Sequence, residues 1–369
     1  MLRRGFLSLY DMLYRRAARP LIFRSGSAQE SHERALNVLA RLDKSPVLLR
    51  DIHRLAFESR QVQVGGVELD HPLILAAGFV KGHGFETESL ALAAVQNGEN
   101  IIPGWRALPL TVGAVEFGSF TRWPRTGNPG VVIWRDAPYR STQNRVGLKN
   151  PGVRAAATFL SQRRANLPPV YGINIAASPG VDDIEQQRVE VLESLAAFRV
   201  LGIQPSWFTL NVSCPNTEDD PGGRQTEEQT WTLCRATVDA LGERVPLWVK
   251  VGPDLAPEQY DILMRVFAET GVRAVIATNT LGQPTPNNPS LTAGVGGARL
   301  HLHALAAARR LVEAQRAGGY PVDVIGCGGV QDGWTYQHFS QLGINAVQYW
   351  SALVYRGPLA AAIIASEAK

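Results

Sequence analysis

Eight short apolar runs recur along this chain from residue 72 onward, and they constrain its fold more than any other feature. They are 72–78 (PLILAAG), 114–121 (AVEFGSFT), 170–176 (VYGINIA), 207–213 (WFTLNVS), 246–252 (PLWVKVG), 274–280 (AVIATNT), 322–329 (VDVIGCGG) and 346–352 (AVQYWSA). Near-continuous runs of this length suit parallel strands buried on both faces. Helical stretches separate most of them, among them 184–201, 227–241, 257–269 and 303–317. Eight β/α units predict a closed (β/α)8 barrel, the TIM-barrel architecture, over residues 60–369. An open doubly wound sheet is the alternative, but it would need fewer strands or an antiparallel edge. A length of 369 residues could hold two domains, yet barrels of this kind reach it as one. QVQVGGVEL at 61–69 reads as a small hairpin ahead of the first barrel strand, and 131–135 as an extra strand in a long loop.

The amino terminus has a different character. The first 28 residues hold six arginines (Arg3, Arg4, Arg15, Arg16, Arg19, Arg24) against one acid, Asp11, a charge of +5 in a chain whose total is +4. The remainder is therefore −1, and the excess gives no ground for a nucleic-acid partner. Leu2, Phe6, Leu9, Tyr10, Leu13, Ala17 and Leu21 recur at helical spacing beside the arginines. Pro20 is expected to end or kink that helix. Ser27 and Glu30 have capping-box spacing for a second helix, with an apolar stripe of Ala35, Leu36, Val38, Leu39 and Leu42. Two readings of this 1–45 extension are open. It is a basic amphipathic pair lying on a membrane surface, or its stripes pack on the barrel. Its apolar stretches are short and broken by Arg, unlike a cleaved signal peptide. No apolar run approaches the ~20 residues that span a bilayer.

In such barrels the chemistry is built at the carboxyl ends of the strands. Reading those ends in order gives Ala77, Gly78 and Lys81, then Ser119, then Asn174, then Asn211, Ser213, Cys214 and Asn216. Lys250, Asn279, Thr280, Gly328, Gly329 and Ser351 complete the set. Amides, hydroxyls and two lysines converge, with no carboxylate pair for glycoside hydrolysis and no His or carboxylate cluster for a metal. Three cysteines without a CxxC pair also exclude a disulfide framework or a four-thiolate cluster. Two glycine-rich turns, 294–297 and 326–329, follow the sixth strand and end the seventh. They point to a phosphate-bearing ligand approached closely by backbone N–H groups. Lys250 lies mid-strand among apolar neighbours, where an ammonium is costly unless it faces a functional lumen or a partner charge. A Schiff base, a phosphate contact and a charge beside an electron-rich ring are all open to it. Cys214 stands just past a strand end among polar side chains, with no His nearby to make it a nucleophile. Proton abstraction is the better role.

Taken together, these motifs resemble the dihydroorotate dehydrogenase family. They are AAGxxK at 76–81, ExGSxT at 116–121, NRxG at 144–147, GINI at 172–175, NVSCPN at 211–216, VKVGPDL at 249–255, IATNT at 276–280, GCGG at 326–329 and VQYWS at 347–351. The resemblance implies a flavin mononucleotide (FMN)-dependent barrel that oxidises dihydroorotate to orotate in de novo pyrimidine biosynthesis. It implies that Ala77, Gly78, Ser119, Asn174, Lys250, Gly297, Gly328, Gly329 and Ser351 hold FMN. Lys81, Asn144, Asn211, Asn216, Asn279 and Thr280 would surround the substrate, with Cys214 as base. The 1–45 extension resembles that of the membrane-associated, quinone-using class, implying a quinone acceptor and a peripheral place on the cytoplasmic side of the cell membrane, or on the mitochondrial inner membrane in a eukaryote. Cys214 instead resembles the soluble classes, since the quinone-using class normally has Ser there. Val80, Leu148 and Trp350 replace an acid, an aromatic and a Tyr of the family pattern, and a stretch at 97–110 is extra. A related oxidoreductase acting on another pyrimidine or cyclic ene, and an inert flavin-binding barrel, are the competing readings.

Overall fold

The computed structural model describes residues 2–213 and 226–368. The chain opens with four helices: α1 (Leu2–Leu13), α2 (Arg19–Arg24), α3 (Ala28–Leu42) and α4 (Val47–Ala56). A π-helical stretch, Tyr14–Ala18, joins α1 to α2. Pro20 falls in the first turn of α2, so it neither ends nor breaks the helix. The wider π turn precedes the position where proline would disrupt an α-helical ladder. The Ser27–Glu30 capping box forms at the start of α3, at 3.2 Å and 2.7 Å. Helix α4 occupies a segment that the sequence analysis leaves unassigned.

All eight predicted strands are present, each shorter than its apolar run by one to four residues. A hairpin of β1 (Val62–Val64) and β2 (Val67–Leu69) precedes them. Strands β3 (Leu73–Leu75), β4 (Ala114–Phe120), β7 (Tyr171–Ile175), β8 (Trp207–Asn211), β9 (Leu247–Val251), β10 (Ala274–Ala277), β13 (Asp323–Cys327) and β14 (Val347–Tyr349) close in sequence order into a parallel barrel. Strands β5 (Ile133–Asp136), β6 (Ser141–Asn144), β11 (Leu281–Pro284) and β12 (Thr292–Gly297) form a separate antiparallel sheet. This corrects the reading of 294–297 as a turn. Its four residues pair with β6 and β11, and Gly297 begins the turn into helix Ala298–Gly318.

One end of the barrel is plugged from within. The hairpin buries Val64, Val67 and Leu69 against Ile74, Ile276, Ile325 and a stacked Trp207–Trp248 pair whose rings lie 4.3 Å apart. Trp248 Nε1 donates to Gly65 O at 3.0 Å, and Gly65 N donates to the Asp323 carboxylate at 2.6 Å. Gly65 and Gly66 both have positive φ, as the tight two-residue turn requires. The other end, at the strands' carboxyl termini, stays open beneath the antiparallel sheet.

The extension is docked on the barrel. Arg356, itself buried, pairs with Asp11 of α1 at 3.1 Å and with Glu367 at 2.5 Å. Burial works against the Arg356 charge, but these carboxylate hydrogen bonds outweigh it and push its pKa up. Tyr14 donates to Val354 O at 3.0 Å. Asp43, just past α3, accepts from Gly104 N, Arg106 N, Ala107 N and the Asn100 side chain at 2.8–3.1 Å. The extra stretch at 97–110 thus clasps the end of α3. The apolar stripe read from the sequence divides between two faces. Phe6 and Tyr10 pack with buried Leu7, whereas Leu2, Leu9, Leu13 and Leu21 remain exposed.

Candidate active site

All the described residues nominated from the sequence except Ser213 line one cavity at the open end of the barrel. Ala77, Gly78 and Lys81 come from the loop after β3, Ser119 and Asn174 from β4 and β7, and Asn144 from β6. Asn211, Lys250, Asn279, Thr280, Gly297, Gly328, Gly329 and Ser351 complete the wall. Cys214 and Asn216 lie outside the described residues.

The nominated amides are connected. Asn279 Nδ2 donates to Ser213 O at 2.6 Å and to Asn211 Oδ1 at 3.3 Å, while Thr280 N donates to Asn279 Oδ1 at 2.9 Å. Ser213 N holds Asn211 Oδ1 from the other side at 3.2 Å. Asn211 Nδ2 is left with a 3.4 Å approach to Ser119 Oγ, so a donor faces the cavity at small cost. Asn174 Oδ1 and Thr280 Oγ1 are buried without a partner among the described residues. Such atoms are expensive to leave unpaired, so both are acceptors prepared for a ligand.

Lys250 is 6% exposed, and its Nζ donates to Gln348 Oε1 at 3.1 Å. Gln348 Nε2 in turn donates to Glu116 at 3.1 Å. Asn174 Nδ2, Trp207 Nε1 and Thr209 Oγ1 also donate to that carboxylate, at 2.8, 3.0 and 2.6 Å. Glu116 and Gln348 lie within the ExGSxT and VQYWS motifs, where no role was expected of them. Their signal is the one used for Lys250, a polar side chain inside an apolar strand. The Cys327 thiol is pushed up by burial, with the Lys250 ammonium pulling against it.

The glycines at the ends of β12 and β13 also answer to the protein's own packing. Gly297, Gly328 and Gly329 have φ of +84°, +145° and +68°. A Cβ on Gly328 would stand 2.4 Å from Ala304 Cβ, and one on Gly329 2.6 Å from His301 Cβ. Backbone conformation and protein packing behind the cavity demand glycine here. Ser351 Oγ is 2.8 Å from Thr142 Oγ1, which fixes it beside this turn.

The extension reaches the same cavity. Gln29, His32, Glu33 and Leu36 of α3 line it, and Gln29 Oε1 accepts from Val132 N at 3.0 Å. The His32 ring meets Phe79 edge-on at 5.3 Å, and Phe79 lies 5.9 Å from Trp350. Burial lowers the His32 pKa to about 4, helped by the Lys81 and Lys149 charges. His32 is thus neutral, and the two lysines make this side of the cavity receptive to an anion.

The dihydroorotate dehydrogenase family model matches residues 59–369. A dihydroorotate dehydrogenase (quinone) of Chloroflexus aurantiacus is 31% identical, covering 94% of both chains. One of Leifsonia xyli is 35% identical over 82% of each. In fold, the chain is similar to the crystal structure of an Eimeria tenella enzyme of this name in complex with ferulenol, with a TM-score of 0.68 at 23% identity, covering 88% of this chain and 90% of that one. A barrel of this topology, a strand-end set that converges on one cavity and these likenesses along its length make the chain a member of the dihydroorotate dehydrogenase family.

Proposed function

We propose that this chain is an FMN-dependent enzyme that oxidises dihydroorotate to orotate in de novo pyrimidine biosynthesis and passes the electrons to a quinone. The observation that carries the reading is the cavity wall itself, which sets a buried ammonium, an outward amide carbonyl and a ring of amides around one space. The relatives named above supply the substrate and the acceptor by their names.

The residues present fit FMN. The orphaned Asn174 Oδ1 is an acceptor suited to a ring N–H, and Lys250 Nζ is a cation suited to a ring that gains electron density. Ala77, Gly78, Ser119 and Gly297 would complete the ring's surroundings, and Gly328, Gly329 and Ser351 would take the phosphate. Bound FMN supplies the hydride acceptor. Lys81 offers a positive charge to the substrate carboxylate, and Asn144, Asn211, Asn216, Asn279 and Thr280 match its alternating carbonyls and N–H groups. Cys214 takes the proton from C5 of the substrate. The α3 side chains in the cavity wall support a route by which a quinone meets the cofactor from the extension's side. Peripheral contact with a membrane, on the cytoplasmic side in a bacterium, belongs to the same reading.

Anaerobic addition of dihydroorotate to the purified yellow protein tests it. The flavin absorbance should bleach, and a quinone should restore it. Colour that persists in dihydroorotate but bleaches with another reduced pyrimidine would replace the substrate.

A further inference from the structure

Glu116 is fully buried and stands behind the cavity wall rather than in it. Four donors from three strands of the barrel wall, β7, β8 and β14, converge on its carboxylate, a set that suits a group which is acceptor-only when ionised. Two of those donors belong to residues that do face the cavity. Asn174 gives its Nδ2 to Glu116 at 2.8 Å, which turns its unpartnered carbonyl outward. Gln348 gives its Nε2 to Glu116 and receives Lys250 Nζ on its Oε1, both at 3.1 Å. One amide therefore separates a buried cation from a buried anion. Without that spacer, the two charges would attract strongly in so dry a place, and the ammonium would be drawn down from the cavity.

We propose that Glu116 is a positioning residue. Through Gln348 and Asn174 it sets where the Lys250 ammonium and the Asn174 carbonyl meet the flavin, and its negative charge partly offsets that ammonium and so holds down the flavin's reduction potential. The inference rests on the FMN reading above.

The test is the midpoint potential of the bound flavin, read with redox dyes in the full-length protein without substrate. Glu116→Gln removes the negative charge at constant size, and the reduction equilibrium should move about tenfold toward reduced flavin, about 30 mV upward for a two-electron couple. Gln348→Ala removes the spacer at constant charge. Lys250 then settles toward Glu116, and the potential should fall by a similar amount. A merely structural role would lower the melting temperature of both variants and move neither potential. An unchanged or lowered potential in Glu116→Gln overturns the proposal, and so does an unchanged or raised one in Gln348→Ala, so either variant decides alone if the other does not accumulate. A protein that holds flavin but is not reduced by dihydroorotate defeats the functional reading and leaves this inference standing.

Discussion

Lys250 shows what a single residue can disclose. An ammonium between Val249 and Val251 is legible from sequence because its burial must be compensated, and the structure supplies Gln348 as the immediate partner. Glu116 sends the same signal from β4, but only the three-dimensional arrangement shows that its oxygens serve β7, β8 and β14 together. Replacing Lys250 by Met removes the cation that offsets negative charge on the bound ring. Flavin reduction by dihydroorotate should slow by about 100-fold or more in anaerobic stopped-flow, at unchanged fold by circular dichroism. Cys214→Ala should cost about 100-fold or more in the same step. With a thiol as base, wild-type reduction should quicken as pH rises past neutrality toward the ordinary thiol range near about 8.5. A rate flat from about pH 6 to 9 would remove Cys214 from the base's role.

His71 carries a prediction about stability rather than catalysis. It is buried against Phe57, and burial first, then the nearby Arg60 and His53, lowers its pKa from 6.5 to about 4. The unfolded chain takes up a proton at this site below pH 6.5 while the folded chain does not until about pH 4. Stability from His71 is therefore complete above pH 6.5 and is lost as pH falls between those values, by about 3 kcal/mol in all. Urea midpoints measured from pH 7 down to 4.5 should fall more steeply in wild type than in His71→Gln. Parallel curves would sink the assignment.

At the scale of elements, the strands were the most legible part of the chain. Near-continuous apolar runs admit few alternatives, and their ends located most of the described site residues on one cavity wall, which Asn144 and Gly297 reach from the antiparallel sheet. Elements whose character depends on distant partners were not. Residues 294–297 read as a glycine-rich turn and become the end of β12, because β6 and β11 supply hydrogen bonds that no local pattern announces. Helix α4 is strongly amphipathic, so a signal for it stands in the sequence at 47–56 beside the capping box and arginines that the reading follows instead. The stretch at 97–110 was visible as an excess but not as a clasp, since Asp43 lies more than fifty residues earlier. That carboxylate is 5% exposed and satisfies three backbone N–H groups and one amide. Asp43→Ala would leave those donors buried and unpaired, a loss of about 3 kcal/mol measured by denaturant unfolding. Because α3 lines the cavity, the variant should also lose quinone-dependent turnover more than dye-dependent turnover. Equal loss of both would mean that the clasp serves stability alone.

Across the whole molecule, the +5 amino-terminal segment sits on a barrel that is nearly neutral, and the structure divides its arginines into two groups. Arg3 pairs with Glu58 and Arg19 donates to Tyr355 O, which help hold the extension in place, while Arg15 pairs with Asp11 one turn away in its own helical stretch. Arg4, Arg16 and Arg24 are exposed and have no such partner among the described residues. In the same four amino-terminal helices, Leu2 is 88% exposed, Leu21 70% and Leu48 69%, apolar side chains that water does not favour. If this face meets a membrane, its affinity has an apolar part shared by all lipids and an electrostatic part owed to these three arginines. Each is worth about 1 kcal/mol near an anionic surface, so replacing all three by Gln should weaken binding to vesicles containing anionic lipid by about 100-fold. Binding to purely zwitterionic vesicles should barely change, and dye-dependent turnover should stay at the wild-type level. Raising the salt should bring the wild type down toward the variant, since the electrostatic part is screened and the apolar part is not. Co-sedimentation of wild type and variant across both lipid compositions reads all of this at once. Equal binding of the two proteins to anionic vesicles would return the extension to a purely structural role, its apolar residues exposed without a membrane to cover them.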